Sequence, residues 1–294
     1  MRRRARLKIM QRLVITGAGG QLGSVLAAKA ARQGRDVLAL TSSQWDITDP
    51  GAAERIIRGG DVVVNCAAYT NVDGAESDEA RAHAVNAEGP EHIARVCADV
   101  GAGLIHISTD YVFDGSARRP YEPDDETGPL SVYGRSKLSG EVAVRKTLPE
   151  AIVVRTAWVY TGGTGNDFVA AMRRLAAGDG PVEVVDDQTG SPTYVGDLAD
   201  ALLQVVDDGV RAPVLHAANA GAVSRFEQAR AVFAGVGADP ERVRPISSDK
   251  KPRPAPRPHY SALGARVSTE AGLTPLRPWR DALAEALSLP SMRE

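Results

Sequence analysis

The sequence predicts an α/β fold built on a Rossmann-type, doubly wound parallel sheet. Three observations carry that prediction. Short apolar, β-branched runs recur through the first half, each followed by a stretch of helical character. The first run passes straight into a glycine-rich turn, Gly17-Ala18-Gly19-Gly20-Gln21-Leu22-Gly23, which opens an alanine-rich amphipathic stretch. The unusual short motifs then fall at the carboxyl ends of the predicted strands, the edge at which open α/β sheets bind ligands.

The first strand is Arg12-Leu13-Val14-Ile15-Thr16, and its helix runs from Gln21 to Gln33. Strand, glycine turn and helix form the phosphate-binding start of a dinucleotide unit. Gly17 allows the tight turn, Gly20 lets the backbone approach a pyrophosphate on the helix N-terminus, and Gly23 permits close helix–strand packing. Strand two is Asp36-Val37-Leu38-Ala39-Leu40. Where an acidic residue would bond the ribose hydroxyls of NAD, the chain reads Thr41-Ser42-Ser43, and no arginine follows at once for a 2′-phosphate. The cofactor is therefore expected to be NADPH or NADH. A helix is expected near 51–57. Asp61 to Ala68 is the clearest buried strand, and Ala67-Ala68 at its end leaves room for a cofactor.

Helices are expected near 75–86 and 90–100, and a strand over Leu104 to Thr109 ends in hydroxyls. Gly128-Pro129 precedes a further helix, with Ser131 as its N-cap. That helix carries Tyr133 and Lys137, four residues apart and so one turn apart on one face. A lysine ammonium there would lower the phenol pKa, making the tyrosine a general acid or base at a carbonyl or hydroxyl. Ala151 to Arg155 is the next strand, after which the regular rhythm ends. Helices over 166–177 and 225–235, strands over 181–185 and 214–219, and a helix capped by Asp197 and running to Val206 complete the reading.

Length and composition agree. The 294 residues suffice for one large domain or two modest ones. A net charge of -2 points to neither nucleic acid nor an anionic membrane as a general partner. Two cysteines, Cys66 and Cys97, make no disulfide framework and fit a reducing, cytoplasmic compartment. No apolar run is long enough to span a bilayer, and no His/Cys/Asp cluster has metal-ligand spacing. Residues 1–11 read as a basic, solvated tail. The basic segment Lys250 to Pro258 is extended.

Six motifs in order carry a resemblance over nearly the whole chain from Leu13 onward. They are Thr16-Gly17-x-x-Gly20-Gln21-Leu22-Gly23, Asn65-x-Ala67-Ala68-Tyr69-Thr70-x-Val72-Asp73-x-Ala75-Glu76, and Ser108-Thr109-Asp110-Tyr111-Val112-Phe113-Asp114-Gly115. Tyr133-Gly134-x-x-Lys137, Arg155-Thr156-x-Trp158-Val159-Tyr160 and Asp187-Gln188-x-Gly190-x-Pro192-Thr193 follow. With them the chain resembles the dTDP-4-dehydrorhamnose reductases, extended members of the short-chain dehydrogenase/reductases.

The resemblance implies a smaller C-terminal α/β substrate domain. The boundaries are then 12–157 for the NAD(P)-binding domain and 158–294 mainly for the substrate domain, with interleaved segments. It implies that Tyr133 protonates the C4 carbonyl oxygen of a dTDP-linked 4-keto sugar. Lys137 would lower the tyrosine pKa and hold the nicotinamide ribose, and Thr109 would polarise the carbonyl. Asn86 matches an asparagine supporting a water relay. Gly20, Gln21 and Leu22 match the pyrophosphate loop, Asp46 and Ile47 the adenine contacts, and Ala68, Tyr69 and Thr70 the cofactor-lining segment. Asp110 and Trp158 match positions facing the sugar. Arg257, in Arg257-Pro258-His259-Tyr260-Ser261, matches a segment along the diphosphate, where arginine can bond bidentately.

The expected reaction is reduction of dTDP-4-dehydro-L-rhamnose to dTDP-L-rhamnose. A sister dTDP-4-keto-deoxysugar reductase or epimerase and a non-catalytic NADP-binding regulatory subunit are the alternatives. A dehydratase fits less well, because Tyr111 stands where family dehydratases have glutamate. A homodimer is compatible with the sequence, which does not itself set the oligomeric state.

Overall fold

In a computed structural model of the chain, residues 11–163, 165–210 and 212–288 are described. The expected basic tail lies outside them except for its last residue. The first half runs β1 (Leu13–Thr16), α1 (Gln21–Arg32), β2 (Val37–Leu40), α2 (Ala52–Ile56) and β3 (Val62–Asn65). It continues through α3 (Val72–Ala75), α4 (Glu79–His83), a π-helical turn (Ala84–Glu88), α5 (Gly89–Val100) and β4 (Gly103–Thr109). Next come α6 (Val132–Thr147) and β5 (Ile152–Thr156).

Beyond 158 the elements are shorter. They are β6 (Val159–Tyr160), α7 (Phe168–Ala176), β7 (Val182–Val185), β8 (Thr189–Gly190), β9 (Thr193–Tyr194) and α8 (Val195–Asp208). They end with β10 (Val214–His216), β11 (Val223–Ser224), α9 (Arg225–Gly235), β12 (Val243–Ile246), α10 (Arg266–Glu270) and α11 (Trp279–Ser288).

Six strands form one sheet in the order β10-β5-β4-β3-β1-β2, with every neighbouring pair parallel. The two-residue period of a strand explains its two covered faces. Leu13 and Ile15 pack with Leu26 of α1 and with Leu198 and Leu202 of α8. Val14, between them, points the other way, toward Ile93 and Cys97 of α5 and Val144 of α6. Each such side chain contributes roughly 1.5–3 kcal/mol by leaving water.

The later segments make three two-stranded pieces: β6 with β9, β7 with β12, and β8 with β11. Their core gathers Val169 and Met172 of α7, Val232 and Phe233 of α9, and Leu283 of α11. The chain does not leave the first sheet for good, since α8 and β10 return to it.

Three expectations need correction. The helix expected over 75–86 is broken, because the Asp78 side chain accepts from Arg81 N and starts α4 afresh. Asp197 does not cap a helix: α8 begins at Val195, and Asp197 lies inside it, bound to Arg277 and Asn219. The strand expected over 214–219 stops at His216. Asn219 leaves the ladder because its side chain accepts from Tyr194 N and donates to Asp197.

Candidate active site

The carboxyl ends of the sheet strands meet in a cleft of about 930 Å³. Its floor is the glycine turn. Gly17 has φ +63°, and a Cβ there would stand 2.7 Å from Ala67 N. A Cβ on Gly23 would meet Gly17 O at 2.4 Å. Thr16 ties the turn to the neighbouring strand: its hydroxyl donates to Asn65 Oδ1 (2.6 Å) and accepts from Ala67 N (3.0 Å).

No side chain caps α1, and its first turn holds no acid. The leading N–H groups and the positive end of the helix therefore face the cleft without a protein anion, which suits a pyrophosphate. Thr41, Ser42, Asp46, Ile47 and Arg81 line one end of the cleft; Ala68, Tyr69 and Thr70 line its middle. This donor set, with no carboxylate at the end of β2, fits a dinucleotide. Asp46 also closes its own turn, accepting from Thr48 N (3.0 Å) and Oγ1 (2.7 Å), and these bonds hold its carboxyl below the usual range.

Tyr133 and Lys137 face the opposite wall from α6. Ser131 caps that helix through Gly134 N (3.1 Å), and Glu76 Oε1 accepts from Val132 N (2.8 Å). Gly134 brings the helix close to Tyr111 O, which a Cβ would meet at 2.3 Å. The Tyr133 ring packs edge-on to Tyr111, centroids 5.6 Å apart.

Lys137 lines the cleft together with Tyr133. Its ammonium, 2% exposed, donates to Ile107 O at 2.6 Å. Burial lowers the lysine to about 8, with Glu141 pulling it back up. Burial pushes the Tyr133 phenol upward, beyond what the nearby Thr109 hydroxyl offsets, and Asp110 and Tyr111 push the same way. Tyr133 is therefore a protonated phenol at neutral pH, held as a donor rather than pre-ionised.

At the other end, Thr109 Oγ1 donates to Asp110 Oδ1 (3.0 Å) and accepts from Tyr111 N (3.2 Å). Burial raises the Asp110 carboxyl to about 6, against hydrogen bonds from Ser261 and Thr109. Ser261 Oγ donates to Asp110 Oδ2 at 2.6 Å, joining residues 151 positions apart in the chain. Trp158 lines the cleft with φ +47°, its indole pressed on Gly190, where a Cβ would come within 2.4 Å.

Two predicted residues lie elsewhere. Asn86 is fully buried behind the wall. Its Oδ1 accepts from Tyr69 N (2.9 Å), and its Nδ2 donates to Tyr69 O (3.1 Å) and Ser136 Oγ (2.9 Å). Every polar atom of that side chain is committed to fixing the Tyr69 segment against α6. Arg257 does not line the cleft; it pairs with Asp73 and donates to Ala255 O at 2.7 Å.

Two residues escaped the sequence reading. Arg225, the first residue of α9, lines the cleft beside Trp158. Ser261 had a signal, its place in the Arg257-to-Ser261 motif; Arg225 had none.

A family model described as the RmlD substrate binding domain matches residues 10–291. A dTDP-4-dehydrorhamnose reductase of Mycobacterium tuberculosis is 73% identical over 285 residues, covering 96% of this chain and 94% of its own length. The dTDP-4-dehydrorhamnose reductase of Mycolicibacterium smegmatis is 66% identical over 288 residues, 97% of this chain and 88% of its own. Among solved structures, a dTDP-4-dehydrorhamnose reductase of Clostridium acetobutylicum superposes with a TM-score of 0.91 at 37% identity, covering 96% of this chain and 100% of that one. The dTDP-4-dehydrorhamnose reductase of Bacillus anthracis, solved with NADP, superposes at 0.89 with 34% identity, covering 94% and 98%.

Proposed function

The chain belongs to the RmlD substrate-binding-domain family, and from that membership and the cleft we propose that it reduces dTDP-4-dehydro-L-rhamnose to dTDP-L-rhamnose. The observation that carries this is that Tyr133, Thr109 and Lys137 line the same cleft as the glycine turn. The 73% identity to a relative of that activity favours the rhamnose pathway over the sister ketoreductases, one of which, a dTDP-4-keto-6-deoxy-D-glucose reductase, is 42% identical.

A bound NADPH or NADH supplies the hydride for C4 of the sugar. The chain supplies position and a proton. Gly17, Gly20, Gln21, Leu22 and Gly23 cradle the pyrophosphate, Asp46 and Ile47 bracket the adenine, and Ala68, Tyr69 and Thr70 line the cofactor's path. Tyr133 donates its phenolic proton to the C4 oxygen as negative charge develops there. The positive charge of Lys137, anchored on the β4 carbonyl of Ile107, then favours the phenolate that is left. Thr109 and Asp110 orient the carbonyl end of the sugar, and Trp158 walls it. Asn86 acts at one remove, by holding the Tyr69 segment. Arg257, beside Tyr111 but held by Asp73 outside the cleft lining, would reach the diphosphate only on release from Asp73; an unchanged KM in Arg257→Ala would remove that contact.

In this reading, residues 12–157 are the cofactor unit and 158–294 mainly the substrate unit. The expected compartment is the cytoplasm, in keeping with two cysteines and no disulfide framework. Separately, no helix among the described residues is long and apolar enough to cross a membrane. A homodimer is its expected form, to be checked by sedimentation. The test of the reaction is oxidation of NADPH and of NADH with dTDP-4-dehydro-L-rhamnose, alongside Tyr133→Phe. Turnover with a loss of roughly two or more orders of magnitude in the variant is expected, the scale of a general acid. Tight cofactor binding without turnover would favour a regulatory subunit instead.

A further inference from the structure

We propose that Arg225 is the anchor for the diphosphate of the nucleotide sugar. The inference rests on the dTDP-sugar reading above and adds to it a residue that neither the motifs nor the resemblance picks out.

The guanidinium stands with its carbon 3.5 Å from the Trp158 ring centroid and 4.7 Å from that of Phe168. Packing over these aromatic faces leaves the edge of the group for hydrogen bonds. One nitrogen of that edge, Nη1, donates to Gln228 Oε1 at 3.2 Å. Among the described residues, no other side-chain hydrogen bond and no ion pair engages the guanidinium. Its backbone is fixed separately, with Arg225 N donating to Gln188 O at 3.1 Å.

The charges around it make an anion the matching ligand. Asp110 attracts the guanidinium and Arg257 repels it. Asp110 is buried and already accepts from Thr109 and Ser261, so it does not neutralise Arg225 by direct pairing. Burial lowers the Arg225 pKa to about 10, which leaves it charged at neutral pH.

The other cations of the cleft are placed differently. Lys137 is bound to Ile107 O, and Arg81 stands with Asp46 at the opposite end. Arg257, the arginine expected at the diphosphate, is held by Asp73. A diphosphate lying from Trp158 toward Tyr111 would meet the Nε–Nη2 edge of Arg225 in the bidentate geometry that guanidinium and phosphate share.

The test compares equilibrium binding of dTDP and of thymidine to the unmodified chain, Arg225→Met and Arg225→Lys, with NADPH binding as the measure of an intact fold. Arg225→Met keeps a long apolar stem against Trp158 and removes the charge. It should weaken dTDP by roughly tenfold to a hundredfold, the range for hydrogen bonds to a charged group. Thymidine, which has no phosphate, should bind as before. Arg225→Lys should recover part of the dTDP affinity, and raising the salt should shrink the gap between the unmodified chain and Arg225→Met. Equal losses of dTDP and thymidine, or no loss of either, with NADPH binding retained, would overturn the assignment. If Arg225→Met failed to bind NADPH, the Arg225→Lys comparison would decide alone, full dTDP affinity or a parallel thymidine loss counting against the bidentate anchor. An unmodified chain that does not bind dTDP would overturn the substrate class itself, a different result from a variant that keeps its phosphate dependence.

Discussion

Glu141→Gln is expected to destabilise the fold by about 3–5 kcal/mol, the usual consequence of breaking a buried ion pair. Glu141 lies one helical turn beyond Lys137 and is 3% exposed. Its two oxygens accept from Arg155 Nε (2.9 Å) and Nη2 (2.7 Å), and Oε1 also accepts from Ser108 Oγ (2.5 Å). Arg155 is 4% exposed and, among the described residues, its side chain has besides these Pro123 O (3.3 Å) and the face of Phe113. Glutamine fills the same space but puts an amide N–H₂ against guanidinium donors, leaving a buried charge unpaired. A domain of this kind has a total stability of about 5–15 kcal/mol, so the loss should be plain in urea denaturation. Glu141→Leu with Arg155→Met removes both charges and should regain most of the loss. A single variant that loses less than about 1 kcal/mol, the scale of an exposed pair, would refute the reasoning. A double variant as unstable as the single would show that packing, not charge, decides. The same change removes the anion that raises the Lys137 pKa. The alkaline limb of NADPH turnover should therefore move to lower pH.

Gly17→Ala combines a backbone at φ +63° with a contact of 2.7 Å to Ala67 N, so NADPH affinity, followed by fluorescence titration, should fall sharply even if the protein still folds. Asp110 carries a carboxyl raised to about 6 from an ordinary 3.8. The native state thus keeps a proton that the unfolded chain has lost between those values, and stability falls as pH rises through that window. Asp110→Asn lacks this dependence. Its stability relative to the unmodified chain should improve between about pH 4 and 6 by up to about 3 kcal/mol and then level off; a pH-independent difference would discount the titration. Asn86→Ala leaves Tyr69 N and O and Ser136 Oγ without their partner, and should weaken NADPH binding together with thermal stability while sparing thymidine binding.

The parts of this molecule that sequence made legible are those governed by local chemistry. β-Branched runs marked the sheet, the glycine spacing marked the turn, and Ser131 marked the start of α6, because each depends on near neighbours. What stayed hidden depends on partners far along the chain. Nothing local shows that Ile107 O, thirty residues upstream, holds the Lys137 ammonium. Asn86 carried a functional motif, yet the π-helical turn and the close approach of Gly140 to Asn86 O turn its side chain to the wall. Arg225 was read only as the beginning of a helix. Its place over Trp158 needs the packing of α9 and the left-handed backbone at Trp158, neither of which a one-dimensional pattern encodes.

The extended segment around Arg253 to Ser261 has a consequence for the order in which the protein can be made. Arg253, Arg257 and the Ala255 amide converge on Asp73, and Ser261 reaches Asp110. The glycine turn, Thr109, Tyr133 and Lys137 leave the ribosome long before these partners do. A nascent chain can assemble the first five strands of the central sheet, yet Asp73 waits for Arg253, 180 residues later, and Asp110 for Ser261, 151 residues later. Until then Asp110, the residue next to Thr109, has lost one of its two hydroxyl donors. Chains arrested before residue 250 should therefore bind dinucleotide sooner than they acquire sugar binding. Synthesis of residues 253–261 would then act as the step that makes a cofactor-binding intermediate into a reductase.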